Sequence, residues 1–232
     1  MSVLASIRSQ LAPVHREGLP YIGAFALASL FLFWLWSPLG WLAALATAWC
    51  VYFFRDPQRV TPIREGIVVA PADGRVTRVA NVVPPKELDL GERPLPRVSI
   101  FMSVFDCHVN RSPIAGRIER IVYHHGAFVS ADLDKASESN ERNAFVITSG
   151  SARVGLVQIA GLVARRIVCF AREGATLRAG ERIGMIRFGS RVDVYLPDGV
   201  RPLVAEGQTA IAGETIIADL RGGDAQRTFR VG

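Results

Sequence analysis

Lysine is scarce in this sequence, and its scarcity argues against two kinds of enzyme chemistry. Lys86 and Lys135 are the two lysines among 27 basic residues, and they lie in the polar stretches "PPKEL" and "LDKAS". A biotinyl or lipoyl carrier needs a lysine on a tight hairpin turn, and a pyridoxal-phosphate enzyme needs a lysine that forms a Schiff base. Neither lysine has that setting, so neither class is favoured.

Cysteine and histidine are scarce as well. The chain has three cysteines and four histidines, and they do not form the C-x-x-C or H-x-x-x-H spacings of zinc sites. No metal site is therefore predicted. An odd number of widely spaced cysteines does not suit a disulfide framework, which indicates a reducing compartment and predicts that each thiol is buried. The cysteines are Cys50, Cys107 and Cys169.

Charge is absent from one long stretch near the N-terminus. No charged residue lies between Tyr21 and Phe54, where "YIGAFALASLFLFWLW" and "WLAALATAWCVYFF" are separated by "SPLG". Pro38 and Gly40 are typical of a turn between helices, and the tryptophans suit the boundary of a bilayer. A cleaved signal peptide is disfavoured because no small-residue cleavage site separates the blocks. We predict a membrane-associated helical hairpin, with a hairpin buried in a soluble fold as the alternative.

Basic residues flank this hairpin, with Arg8 and Arg16 before it and Arg55 and Arg59 after it. Positive charge at both ends predicts that both ends lie on the cytoplasmic side of the membrane. The net charge of +6 and the pI of about 9.8 favour contact with anionic lipid head groups. The basic residues are scattered and form no nucleic-acid recognition motif, so nucleic acid is not a predicted partner.

The rest of the chain has the pattern of short strands. Glycine-marked turns recur about every 8 to 12 residues, which is typical of an all-β sandwich or barrel. We therefore predict a leader and hairpin over residues 1–55 and a mainly β, sandwich- or barrel-like domain over residues 56–232. Two echoing passages, "EGATLRAGERIG" and "EGQTAIAGETI", predict paired hairpins, and "FDCHVNRSPIAG" predicts an irregular loop.

One stretch raises a question that its local pattern does not answer. "IRFGSRVDVYLP", residues 186–197, predicts two strands that meet at Gly189-Ser190. After the serine, Val192 and Val194 alternate with charged neighbours, as in a strand with one buried face. A Gly-Ser pair is by itself an ordinary turn or bulge. A peptide bond that the protein cleaves is the other interpretation.

Several sequence blocks together resemble one enzyme family. The blocks are "FFRDPQRVTP", "VVAPADGRV", "SIFMSVFDCHVNRSPIAG", "NERN", "VQIAGLVARRIVC" and "RFGSRVDVYLP". Their order and spacing are similar to those of the phosphatidylserine decarboxylases, chiefly the short membrane-associated bacterial form. The resemblance covers residues 53–219 and implies that Gly189-Ser190 is a cleavage site.

The resemblance also implies a cofactor made from the chain itself. In this family a serine hydroxyl, here that of Ser190, attacks the preceding carbonyl, here that of Gly189. Elimination and hydrolysis then leave a pyruvoyl group at residue 190. The implied products are a β chain of residues 1–189 and an α chain of residues 190–232. The implied activity converts the membrane phospholipid phosphatidylserine to phosphatidylethanolamine and CO₂ at the cytoplasmic face of the cell membrane.

Two residues are candidates for assisting the serine. His108 has an ordinary pKa near neutrality, and Asp73 in "APADGRV" matches the family aspartate that assists the base. Their plainer interpretations are a loop histidine bonded to backbone and an Asp-Gly turn. Larger family members carry a second histidine where this chain has Arg111, and L-G-S-T where it has "FGSR". Their Asp-His-Ser triad therefore does not transfer intact: either His108 serves both steps, or Asp73 acts through water.

Arginines near these blocks are candidates for binding the substrate's phosphate and carboxylate. Arg111 and Arg191 are the two, with a solvated surface role as the alternative for each. A pyruvoyl enzyme that acts on another amine, and a non-catalytic membrane-bound β-domain, are the alternative functions. The sequence leaves a homo-oligomer open.

Overall fold

A computed structural model of the chain describes residues 12–126, 140–161, 166–187, 190–222 and 228–230. The chain divides into two compact units, Met1–Gln58 and Arg59–Gly232. The first unit is helical and the second consists of β-strands, so the predicted fold class is confirmed.

The first unit contains two apolar helices, α1 (Leu19–Leu35) and α2 (Ser37–Phe53), preceded by a short 3-10 helix over Arg16–Gly18. Both helices carry a proline in the first turn, where a missing N–H costs no hydrogen bond. The Ser29 hydroxyl donates a hydrogen bond to the Gly40 carbonyl, 3.1 Å away, and joins the two helices. A Cβ at Gly40 would lie 2.4 Å from the Phe33 ring, so a small residue is required there.

The surface of these helices is apolar, which argues against a hairpin buried in a soluble fold. Ser29 is the buried residue of α1, while Leu27, Trp34 and Trp41 are between 67% and 82% exposed. The segment Arg16–Leu35 is long and apolar enough to cross a membrane, and the apolar helix Ser37–Phe53 is shorter.

The described residues of the second unit form thirteen short strands. Their bounds are β1 (Ile67–Val69), β2 (Gly74–Val82), β3 (Leu95–Met102), β4 (Val109–Arg111), β5 (Gly116–His124), β6 (Arg142–Ser149), β7 (Ala152–Ala160), β8 (Ile167–Cys169), β9 (Thr176–Leu177), β10 (Arg182–Ile186), β11 (Ser190–Tyr195), β12 (Thr209–Ala210) and β13 (Ile216–Asp219). A 3-10 helix over Lys86–Leu88 lies between β2 and β3.

The strands form three sheets. The largest has the order β12-β2-β3-β11-β7-β6-β5-β9, a second has the order β4-β10-β8, and β1 pairs with β13. Apolar residues from all three sheets form one hydrophobic core. Because β11 lies between β3 and β7, the residue that opens β11 is held on both sides by hydrogen-bonded neighbours, Met102 on β3 and Ala160 on β7.

Several local predictions differ from the structure. The passage "FDCHVNRSPIAG" is not wholly irregular, because it contains β4, which pairs with β10. The echoing passages do not form hairpins, since β9 pairs with β5 and β12 pairs with β2. They do share glycines with left-handed backbones, Gly180 and Gly213, each with a φ of 77°. Cys169 is exposed, whereas the other two cysteines are buried as predicted.

The prediction of one buried face for β11 is also wrong, because the whole strand is buried. Val192 and Val194 face the core. On the other face Arg191 and Asp193 pair with one another, and this pairing offsets the cost of removing two charges from water.

Candidate active site

Ser190 is the first residue of β11 and is fully buried. Side chains alternate between the two faces of a strand, so Ser190 shares the core face with Val192 and Val194. Its hydroxyl lies 3.9 Å from the Met102 sulfur on the neighbouring strand. A thioether is a weak hydrogen-bond acceptor, so this contact leaves the hydroxyl readily available for reaction.

A chain of three buried amide side chains leads to the same sulfur. Asn143 Nδ2 donates to Gln158 Oε1 at 3.1 Å, and Gln158 Nε2 donates to Asn110 Oδ1 at 2.7 Å. Asn110 Nδ2 then donates to Met102 Sδ at 3.5 Å. We call Asn143, Gln158 and Asn110 the amide chain; each of its members is fully buried.

The register of the sheets places the amide chain beside Ser190. Gln158 pairs with Val192 across β7 and β11 and with Asn143 across β7 and β6. Gly184 of β10 makes room for it, because a Cβ there would lie 3.0 Å from Gln158 Nε2 and 2.7 Å from a backbone carbonyl oxygen. Polar groups from β4, β6 and β7 therefore converge within the core next to one serine.

His108 lies between the turn after β3 and the start of β4, and it is fully buried. Its Nδ1 is 2.9 Å from the Asp106 carbonyl oxygen. A carbonyl only accepts hydrogen bonds, so Nδ1 carries a proton, and Nε2 is the ring nitrogen at which a proton can be gained or lost. The Asp106 carboxylate holds this turn by accepting hydrogen bonds from the Ser103 amide and hydroxyl, at 2.8 and 2.7 Å.

The backbone ties His108 to the connection that leads into Ser190. The Ile186 amide donates to the His108 carbonyl at 3.3 Å, and Ile186 ends the strand that precedes β11. The predicted cleavage residue Gly189 lies outside the described residues. The structure thus joins the backbone of the predicted base to the last residue of β10, four positions before Ser190.

Asp73 is hydrogen-bonded within the β domain. Its Oδ2 accepts a hydrogen bond from Arg59 Nη2 at 2.5 Å, and its Oδ1 accepts one from the Ala212 amide at 2.8 Å. The side chain is 15% exposed. These contacts connect Asp73 to the segment that enters the β domain and to the turn between β12 and β13.

The two predicted arginines lie in different places. Arg111 is buried at the end of β4, and its Nη1 donates to the Gly180 carbonyl at 2.9 Å. It lines a cleft with Arg59, Arg178 and Glu181, so the lining carries more positive than negative charge.

Arg191 follows Ser190 directly and therefore points to the opposite face of the sheet. Its guanidinium binds both carboxylate oxygens of Asp193, at 3.0 and 3.1 Å. Tyr195 lies on the same face, and burial together with the Asp193 charge raises the pKa of its hydroxyl to about 12. This face is therefore a buried ionic layer, separated by the sheet from the Ser190 hydroxyl.

The "NERN" block supplies a further buried polar group near the end of β7. The Asn140 amide donates to the Ala160 carbonyl at 2.7 Å. Glu141 accepts hydrogen bonds from the Tyr123 hydroxyl at 2.5 Å and from the Ile167 amide at 3.2 Å. Burial, and then the bond to Glu141, raise the pKa of Tyr123 above its ordinary value. These contacts fix the strand end that pairs with Ser190.

The sequence analysis did not identify the amide chain. Its signal was present, because Gln158 interrupts the apolar run "VGLVQIAG" and buried amides in such runs are unusual. Among the residues that the structure describes, no group of three or more histidine, cysteine, aspartate or glutamate side chains could hold a metal ion.

The geometry at Ser190 fits a group made from the serine itself. The residue begins a strand that is paired on both sides, so β11 can keep its place after cleavage ahead of it. A group formed from this residue would stay covalently attached to β11, so no separate binding site for it is needed. Among the described residues, the Ser190 hydroxyl contacts the Met102 sulfur, and the Asn110 amide contacts that same sulfur.

Comparison with known proteins agrees with this arrangement. Residues 46–218 match the phosphatidylserine decarboxylase family. The chain is 64% identical over 226 residues to a phosphatidylserine decarboxylase proenzyme from Nitrobacter winogradskyi, an alignment that spans 97% of this chain and 91% of the relative. The resemblance in the sequence blocks is thereby confirmed, and the chain belongs to the phosphatidylserine decarboxylase family.

Proposed function

We propose that this chain decarboxylates phosphatidylserine to phosphatidylethanolamine and CO₂, using a pyruvoyl group that it makes from Ser190. The observation that carries the proposal is the position of Ser190. It is a fully buried serine at the start of a central strand, and its hydroxyl contacts the Met102 sulfur, a weak hydrogen-bond acceptor. The family match, and a relative named as a proenzyme, support a chain that is processed before it acts.

Self-cleavage begins with the transfer of the Ser190 hydroxyl proton to a base. Oγ bonds to the Gly189 carbonyl carbon, the carbonyl electrons move to its oxygen, and the bond to the Ser190 nitrogen then breaks to leave an ester. Loss of the Cα proton expels the Gly189 carboxylate from Cβ. One water adds and one ammonia leaves, so residue 190 ends as pyruvoyl.

His108 is the proposed base for the first step. Its Nδ1 proton is held by the Asp106 carbonyl, so Nε2 is the nitrogen that can take a proton. A positioned base of this type contributes on the order of 10²- to 10⁴-fold to a rate. Asp73 is proposed to assist by fixing the neighbouring turns, since Arg59 and the Ala212 amide occupy its two oxygens.

In the mature enzyme the pyruvoyl carbonyl supplies the electron sink that amino-acid side chains lack. The chain's own residues position the substrate. We assign the substrate phosphate to Arg111 and Arg178 of the basic cleft, because guanidinium groups bind phosphate through paired hydrogen bonds, whereas Arg59 is paired with Asp73. Arg191 is assigned a structural role, since its guanidinium forms an ion pair with Asp193.

We also propose that α1 and α2 hold the enzyme at the cytoplasmic face of the membrane. Their exposed tryptophans and leucines suit a bilayer. A lipid with two acyl chains is costly to extract into water, so an anchored enzyme meets its substrate's head group in the plane where the lipid already lies.

The substitution Ser190→Ala tests this function. The variant should remain a single polypeptide and release no CO₂ from phosphatidylserine, because it has no hydroxyl to attack the preceding carbonyl. Denaturing electrophoresis with intact-mass measurement reports cleavage, and CO₂ release from vesicles reports activity.

Ser99→Ala is the matched control for that experiment. Ser99 is also fully buried on a strand next to β11, but it pairs with Asp193 on the opposite face. Its variant should cleave and work as the wild type does. Cleavage of the Ser190→Ala chain after residue 189 would refute the proposal.

A further inference from the structure

We propose that one acyl chain of the bound phospholipid lies in an apolar groove of the β unit, next to the basic cleft. The inference rests on the proposed function and extends it from the head group to the hydrocarbon part of the substrate. The groove has a volume of about 410 Å³, which is within the usual range of small-molecule sites. It is lined by residues 61–67 together with Ile114, Ala115, Ala179 and Leu220.

The lining of the groove suits a hydrocarbon chain. Ile67 and Ile114 are buried and form its floor, whereas Ile63 is fully exposed at its edge. A chain in the groove would remove apolar side chains from water, which is favourable in proportion to the area covered. An aliphatic chain gains from such burial and requires no hydrogen bonds, so it is the part of a phospholipid that the groove fits.

The groove is formed by a segment that other contacts hold in place. The Leu220 amide donates to the Gly66 carbonyl at 2.7 Å. Thr61 packs closely on Gly180, where a Cβ would lie 2.1 Å from the Thr61 hydroxyl oxygen. A chain that enters the groove therefore does not have to order the segment, and a prearranged site loses less free energy on binding.

The groove and the basic cleft share part of their lining. Thr61, Arg178 and Ala179 contribute to both cavities. Arg178 is exposed, and its hydrogen bonds within the described residues are made by its backbone, with Glu181. Its guanidinium is therefore available to a phosphate at the point where the two cavities meet. A phospholipid has the same order, with an anionic phosphate joined through glycerol to apolar chains.

Contacts also connect the basic cleft to the candidate active site. Arg59 lines the cleft and is paired with Asp73. Arg111 lines it as well and directly follows Asn110 in β4. The Asn110 amide contacts the same sulfur as the Ser190 hydroxyl. The two cavities thus belong to the part of the β unit that carries the candidate site.

A groove for the chain removes a cost of bringing the head group to a buried residue. Ser190 is fully buried, so a head group that reaches it leaves the bilayer surface and draws the first methylenes of its chains with it. Each methylene left in water weakens binding by about fourfold. A groove that covers only two of them would therefore strengthen binding on the order of 10-fold.

Photo-crosslinking in vesicles tests this placement. The full-length enzyme is placed in phosphatidylcholine vesicles that contain phosphatidylserine with a diazirine on one acyl chain, close to the glycerol. After illumination, mass spectrometry locates the adducts, which are expected in residues 61–67 and at Ala115 as well as in α1 and α2. Diacylglycerol with the same labelled chain has no phosphate for Arg178, so it should label α1 and α2 but lose the adducts in the groove.

Two substitutions alter the groove at residues that do not line the basic cleft. Ala115→Trp fills it, and Ile63→Ser removes apolar surface at a fully exposed position, where folding is not at risk. Each should reduce the groove adducts and raise KM for phosphatidylserine in vesicles, on the order of 10-fold for Ala115→Trp. The control is Ala205→Trp, at a half-buried alanine outside both cavities, which should keep the wild-type adducts and KM.

The outcomes separate this inference from the proposed function. A wild type that releases CO₂ and carries adducts in α1 and α2 alone would overturn the inference and leave the proposed function standing. Equal labelling of the groove by diacylglycerol, or an Ala115→Trp variant with wild-type adducts and KM, would overturn the inference as well. A wild type that releases no CO₂ from phosphatidylserine would instead overturn the proposed function on which it rests.

Discussion

The His108 ring has a defined orientation. The Asp106 carbonyl lies 2.9 Å from Nδ1 and accepts its hydrogen bond, and the turn that carries this carbonyl is held by the Asp106 carboxylate. The residue is fully buried, so its orientation does not depend on solvent. A fixed ring of this kind is what the proposed role of His108 as a base requires.

The substitution His108→Asn tests the role of His108 as a base separately from its role in packing. The asparagine amide can replace Nδ1 as donor to Asp106, while Nε2 is lost. Self-cleavage should slow by about 10²- to 10⁴-fold with little change in thermal stability, as followed by electrophoresis over time and by circular dichroism. The exposed His125 provides the control variant, His125→Asn. Maturation of His108→Asn at the wild-type rate would remove His108 from the mechanism.

The sequence analysis identified some of the candidate site residues and missed others. Ser190 and His108 were predicted because each lies in a block that resembles the family. Gln158 and Asn143 were missed because the partner of a buried amide depends on register across neighbouring strands. Arg191 was predicted to bind the substrate because it follows Ser190 in the sequence; its side chain lies on the opposite face of β11 and pairs with Asp193.

At the scale of elements, the 3-10 helix over Lys86–Leu88 covers part of the outer face of the large sheet. Leu88 packs with Val157, Ile159 and Tyr195 in a second, smaller apolar cluster. Glu87 is hydrogen-bonded to the Arg142 side chain. Burial would raise the pKa of Glu87, but the hydrogen bond and the charge of Arg142 outweigh burial and lower it.

This shift predicts a pH-dependent stability. A lowered pKa means that folding favours the ionised Glu87, so its contribution is complete above the ordinary value of 4.5 and is lost as the pH falls through the folded-state pKa. Glu87→Gln should therefore lower the free energy of unfolding by about 1 to 3 kcal/mol at neutral pH. The difference from wild type should shrink in acid, as measured by denaturant unfolding in one detergent.

Glu119→Gln is the matched control for this element. Glu119 also pairs with an arginine, Arg153, and its pKa is also lowered. The pair is exposed, so water screens it and its loss should cost less than about 1 kcal/mol. Equal effects of the two substitutions at neutral pH would contradict the role assigned to Glu87.

Strand positions were predicted from the sequence better than strand partners. The apolar runs "RVSIFMSV" and "ARVGLVQIAG" locate β3 and β7. The structure shows that both pair with β11, which begins 30 or more residues further along the chain. Local patterns define a strand, whereas pairing between distant segments depends on how the whole core packs.

At the scale of the whole molecule, the chain joins a helical unit to a β unit that contains the candidate active site. The helical unit exposes large apolar side chains such as Leu27, Leu30 and Leu45. Contiguous apolar surface of this kind is unfavourable in water and typical of a membrane interface.

Membrane attachment through these helices should resist salt. Burial of apolar side chains does not depend on ionic strength, whereas contacts between basic residues and anionic head groups are screened. The full-length protein should stay with sedimented vesicles at high salt, and a Leu27→Arg, Leu30→Arg variant should be released from them. Release of the wild type by salt alone would show that charge, and not the helices, provides the attachment.

The central claim is that Ser190 becomes a pyruvoyl group, and the intact mass of the purified wild-type protein tests it most directly. The account predicts two polypeptides, residues 1–189 and 190–232, with the smaller one lighter by one ammonia than the same fragment beginning with serine. An active preparation whose smaller fragment carries an ordinary N-terminal serine, or whose chain is uncut, would contradict it.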